Sequence, residues 1–126
     1  MKNRLSIFII AAFSVFTALL HVVIDPAYAG PGSRFVHGYM IDLILPMNAY
    51  LLAQLALRRK MTVKASRVLG AAGVFLLGTG VELAQMRGIS LFGSTYDPVD
   101  IGMYAAGVCL GLCADVFFVN RLEQAL

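Results

Sequence analysis

The chain reads as four long apolar stretches separated by short polar connections. The stretches run from Leu5 to Ile24, Val36 to Leu57, Val68 to Met86 and Pro98 to Val119. Each is close to the roughly 20 residues a helix needs to cross the hydrocarbon core of a bilayer. Spanning β-strands would be about half as long and would alternate apolar with polar side chains. That alternation is absent. The pattern predicts an all-α membrane protein: one transmembrane domain over residues 1–126, built as an antiparallel bundle of four spanning helices.

Composition agrees with the pattern. Of the 126 residues, 60% are hydrophobic and 13% charged, against roughly 25% charged in a soluble domain. A small soluble domain keeps too much of its surface in water to hide that apolar fraction. Disorder needs the opposite composition.

The charges then orient the bundle. Lys2, Arg4, Arg58, Arg59, Lys60, Lys64, Arg67 and Arg121 fall at one end, and only Arg34 and Arg87 at the other. The positive-inside rule places both termini and the 58–67 connection in the cytoplasm. The net charge of +3 is therefore a mark of topology. The basic cluster is short and has no aromatic neighbours, which argues against a nucleic-acid partner. Lys2, Arg4, the first apolar run and Ala27-Tyr28-Ala29 imitate a secretory signal peptide. The run is longer than the usual 7–15-residue signal core, so an uncleaved first helix is expected.

Small residues form two stripes. On the fourth span Asp100, Tyr104, Gly107, Gly111 and Ala114 share a face, with Gly107 and Gly111 forming a G-x-x-x-G. On the third, Ala71, Gly78, Glu82 and Gln85 do the same. Small residues let membrane helices approach closely, and the short connection between these spans predicts that their stripes face each other. Pro46 removes a backbone donor to Asp42 and predicts a kink in the second span, with Asn48 or Asp42 satisfying the freed groups. Asp115, near the cytoplasmic boundary, is expected to pair with Arg67. Cys109 and Cys113 read as packed free thiols.

Polar residues gather at the outer end. Glu82 lies about one turn below the boundary, and Asp100 lies at a similar depth. His21, His37, Asp25, Arg34, Arg87 and Asp97 fall near the same level. An ionisable side chain inside a span is costly and faces the interior, which makes Glu82 and Asp100 candidate acid–base groups. The structural alternatives are pairing of Glu82 with Arg87, and a helix start in which Asp97 caps, Pro98 opens the first turn and Asp100 complements the dipole. No metal-ligand spacing, phosphate loop or nucleophile elbow occurs, so neither a metal nor a cofactor is expected.

These residues resemble the VanZ-like membrane proteins. Gly80-Val81-Glu82-Leu83-Ala84-Gln85, an Arg87-containing loop, and Asp97 to Gly107 follow that family's E-x-x-Q, Arg loop and Asp-initiated last helix, continued by Gly111. Arg34 and His37 partly match the family's D-K-x-x-H, with Ser33 in the first position. Tyr104 stands where many members carry Asn. The resemblance implies a small multi-pass protein of the bacterial cytoplasmic membrane, linked through the family's namesake to glycopeptide resistance. Ligand contacts are then expected at His37, Gln85, Arg87 and Tyr104. The functional expectation is a non-enzymatic envelope protein that binds a lipid, a glycolipid or a membrane-protein partner. The alternatives are a membrane enzyme using Glu82 or Asp100 on a lipid-linked substrate, and a small transporter or channel subunit.

Overall fold

The computed structural model describes residues 4–24, 27–89 and 98–125. These form α1 (Arg4–Leu19), α2 (Ser33–Gly38), α3 (Met40–Leu57), α4 (Val63–Met86), α5 (Pro98–Ala114) and α6 (Asn120–Ala125). A π-helical turn at Leu20–Ile24 extends α1, and another at Asp115–Val119 joins α5 to α6. Four segments are long and apolar enough to cross a membrane: Arg4–Ile24, Met40–Leu57, Val63–Met86 and Pro98–Val119. The protein is an all-α, multi-pass membrane bundle, and no strand occurs among the described residues.

Two boundaries differ from the sequence reading. The second apolar stretch is divided at Tyr39, so residues 33–38 form a separate short helix and the span begins at Met40. This break moves Asp42 into the first turn of α3, where the positive end of the helix dipole stabilises an acid. The helix then runs unbroken through Pro46. The third span starts at Val63, five residues earlier than expected. Thr62 caps it, its hydroxyl accepting from the Ala65 amide at 3.2 Å. Lys64 and Arg67 therefore belong to the helix, where long stems let basic heads stay at the interface.

The far end of α4 closes differently. Gly88 takes a left-handed φ of 84°, its amide donating to the Gln85 carbonyl while that of Ile89 donates to Ala84. This is the Schellman arrangement, in which a glycine carries the φ other residues resist.

Helices α3, α4 and α5 form the body of the bundle, and α1 lies against α3 and the α6 end. The G-x-x-x-G faces α3. A side chain at Gly107 would strike the Leu43 carbonyl, and one at Gly111 would meet Tyr50 at 2.9 Å and the Met47 carbonyl at 3.2 Å. The expectation that this whole stripe faces the third span is corrected: only its outer part does. The α3 backbone comes closest to α5, and only glycine admits it there. The α1–α3 contact carries one polar clasp, the Ser14 hydroxyl donating to Asn48 Oδ1 at 2.8 Å. Asn48 thus binds a neighbouring helix instead of the backbone freed by Pro46. Apolar packing centres on Ile10, Tyr50, Leu51 and Val119.

Candidate functional site

Gly78, Glu82 and Gln85 share one face of α4 by helical spacing. Across from them, one turn beyond Asp100, stands Tyr104 of α5. Its ring lies over Gly78, where an added Cβ would come within 2.7 Å of Cδ2. From that seat its hydroxyl donates to Glu82 Oε1 at 3.0 Å. Glu82 is 1% exposed, and Gln85 and Tyr104 are buried. The facing stripes expected from sequence therefore do meet, at Gly78, Glu82 and Tyr104. The expected alternative partner of Glu82, Arg87, is exposed and forms the C-cap of α4.

Beside this pair an open cleft of about 670 Å³ enters the bundle. Its walls are Ile41, Leu45, Pro46 and Ala49 of α3 and Val74, Leu77, Gly78 and Val81 of α4. Its polar lining is His21, Asp42, Gln85 and Tyr104. Pockets of this size and apolar character with a few convergent polar groups are the usual form of small-ligand sites. His21 reaches the cleft from the π-helical turn that ends α1. Asp42, expected to serve the backbone around Pro46, forms part of the wall.

Asp42 and Asp100 lie in the first turns of α3 and α5, so two helix N-termini point toward the same end and favour carboxylates there. Asp100 is half-buried. Arg34 is exposed on α2, and neither it nor Arg87 lines the cleft. Asp25 and Asp97 lie outside the described residues, as does the side chain of His37, whose backbone belongs to α2. Asp42 is the lining residue that sequence reasoning did not assign to the site. Its signal was an acid three positions before a leucine–proline pair, masked by a span that seemed to begin at Val36.

A second polar cluster occupies the basic end of the bundle. Asp115, fully buried at the start of the second π-helical turn, accepts from Tyr50 at 2.8 Å and from Arg67 Nε at 3.0 Å. It also forms an ion pair with Arg58. Gln54 Oε1 accepts from Arg58 Nε at 3.1 Å and from the Ser66 hydroxyl at 2.9 Å, while its amide donates to the Ser66 carbonyl at 2.9 Å. The Asp115–Arg67 pair expected from sequence is present, and Tyr50 and Arg58 complete it. This cluster ties α3 and α4 to the turn that follows α5, and none of its residues lines the cleft, which marks it as structural. Cys109 and Cys113 are free, and both are exposed on the bundle's outer face instead of packed.

Comparison with protein-family models, with curated proteins and with solved structures gives no match.

Proposed function

We propose that this chain is a VanZ-like envelope protein of a bacterial cytoplasmic membrane whose outward cleft binds a lipid or glycolipid. The observation that carries the reading is the shape of that cleft. Its apolar walls run down the outer halves of α3 and α4, and its polar groups, Asp42, Gln85, His21 and Tyr104, gather toward one end. An amphiphile has the same division: a chain that leaves water favourably and a head that needs hydrogen-bond partners. Leu45 and Leu77 line the cleft and are themselves exposed, so it opens sideways into the hydrocarbon between α3 and α4. A lipid reaches such a site without leaving the bilayer. The orientation comes from the distribution of Lys and Arg.

The test is to extract the protein with its surrounding lipid in copolymer discs and compare bound lipids with the bulk membrane. One lipid or glycolipid class is expected to be enriched near one copy per protein, and lost from Leu77→Trp. Leu77 is 74% exposed, so the larger ring occupies the mouth without disturbing packing. A bound population identical to bulk lipid in both proteins overturns the reading.

The buried Glu82 held by the Tyr104 hydroxyl supports a second reading, a membrane enzyme with Glu82 as proton donor or acceptor. Glu82→Gln would then abolish product formation while the protein stays folded and inserted.

A further inference from the structure

The basic end of the bundle carries a second groove, about 490 Å³ in volume, on the exposed face of α4. It is lined by Thr62, Lys64, Ala65, Val68, Leu69 and Ala72, all of them exposed. We infer that this groove seats an anionic phospholipid of the leaflet at that end, with its phosphate at Lys64 and Thr62 and an acyl chain along Ala65 to Ala72. The inference is independent of what occupies the outer cleft.

Three observations carry it. First, the polar and apolar parts of the groove come in the order a phospholipid has them. Lys64 is the second residue of α4, where its long stem brings the ammonium to the interface. The Thr62 hydroxyl accepts from the Ala65 amide and keeps its own proton to donate. Ala65, Val68, Leu69 and Ala72 then continue along one side of the helix, about 12 Å from Lys64 to Ala72 at 1.5 Å per residue. Second, this end stays positive after its ion pairs are counted. Asp115 faces two arginines, Arg58 and Arg67, and Arg59, Lys60 and Lys64 form no ion pair with a described residue. In the whole sequence eight basic residues stand at this end against two acids, Asp115 and Glu123. Each Lys or Arg beside a bilayer favours acidic lipid about fivefold, whereas a zwitterionic head offsets its phosphate with its own ammonium. Third, the charge and the walls exclude the other occupants. A second copy lying parallel on this face would set Lys60 and Lys64 against their counterparts. A free phosphate gains nothing from the four apolar residues below Lys64.

Photocrosslinking in phosphatidylcholine nanodiscs tests this. Two probes carry the same chains with a mid-chain diazirine and differ only in the head, phosphatidylglycerol or phosphatidylcholine. Labelled peptides are mapped by mass spectrometry. The phosphatidylglycerol probe is expected to label residues 65–72 about fivefold more than the phosphatidylcholine probe. Lys64→Gln brings the two probes to the same level, and Lys64→Arg keeps the preference. Arg121→Gln, on an exposed residue at the same end but outside the groove, leaves it intact, as does Leu77→Trp at the outer cleft. All these side chains are exposed, so the variants leave the packing of the bundle alone. Equal labelling of the unaltered protein by both probes overturns the inference. So does an equal loss in Lys64→Gln and Arg121→Gln, which would make the attraction a diffuse field instead of a site. Residues 65–72 shielded from both probes, in discs that hold two copies, would assign the face to a second copy and overturn it as well.

Discussion

The Tyr104 hydroxyl is aimed at Glu82 because its ring rests on Gly78, one helical turn before the carboxylate on the same face of α4. The hydrogen bond and the close approach of the two helices are one arrangement. A methyl group at Gly78 would push against the ring itself, at 2.7 Å from Cδ2 and 3.0 Å from Cγ. Gly78→Ala is therefore expected to cost about 1–3 kcal/mol, the usual range for overpacking. Gly80→Ala, two residues on where an added Cβ has no neighbour within 4 Å, should be neutral or gain up to about 1 kcal/mol from helix propensity. Reversible unfolding in mixed micelles measures both. Equal effects would show that the ring is not seated there.

Removing the hydroxyl and removing the charge have opposite consequences. Tyr104→Phe deprives a buried carboxylate of a donor, at a cost of about 1–3 kcal/mol. Glu82→Gln keeps an acceptor for Tyr104 while eliminating a buried charge, and is expected to leave stability unchanged or raise it. The same unfolding measurement decides, and strong destabilisation by Glu82→Gln would mean that the charge itself holds the bundle.

Gly107 is the tightest contact between α3 and α5, where the Leu43 carbonyl occupies the space a side chain would need. Backbone cannot rotate away as a side chain can. Gly107→Ala is expected to cost about 3 kcal/mol or more, while Gly102→Ala, with open space around it, costs nothing measurable. Yield of folded protein and the unfolding midpoint should both order the variants this way.

Asp115 neutralises two arginines with its own side chain fully buried, Arg58 having only 5% and Arg67 25% of its side chain exposed. Asp115→Asn strands those cations and is expected to cost about 3–5 kcal/mol. Tyr50→Phe removes one neutral donor and should cost about 1 kcal/mol. A double-mutant cycle on the two should show coupling, and strict additivity would sever the Tyr50–Asp115 bond from the folded state.

Orientation can be checked with single cysteines in a Cys109→Ala, Cys113→Ala background. Lys60→Cys and Ile89→Cys lie at exposed positions at opposite ends of α4. A membrane-impermeant maleimide added to intact cells is expected to label residue 89 and spare residue 60. The reverse pattern would invert the topology.

The spans were legible because few charges interrupt them, and their errors have a common cause. A window drawn by apolarity stops at the first basic residue, so it missed the turn of α4 that carries Lys64 and Arg67, although Thr62 is a good N-cap. The same window passed over Tyr39, since a change of direction between two apolar helices leaves no polar mark. Asp115 and Arg67 could be paired from depth alone. Tyr50 could not be added, because an aromatic residue in a spanning helix looks the same whether it faces lipid or a carboxylate 65 positions away. The stripe of α4 met Tyr104 as its periodicity required. The glycines of α5 turned to α3 because a helix between two neighbours divides its small residues among both, and a single-helix pattern does not say how.

Helix α5 touches both other members of the body through its glycines and Tyr104, and Asp115, in the π-helical turn that follows it, adds the ion pairs. It also opens the last of the four spans to be synthesised. Until it leaves the translocation machinery, Glu82 has no Tyr104, and Arg58 and Arg67 have no Asp115. The earlier spans can meet before then through Ser14–Asn48 and Gln54–Ser66, but the contacts that α5 brings are still missing. Each of those spans carries buried-type polar groups that a chaperone or quality-control protease could recognise as the mark of an unfinished chain.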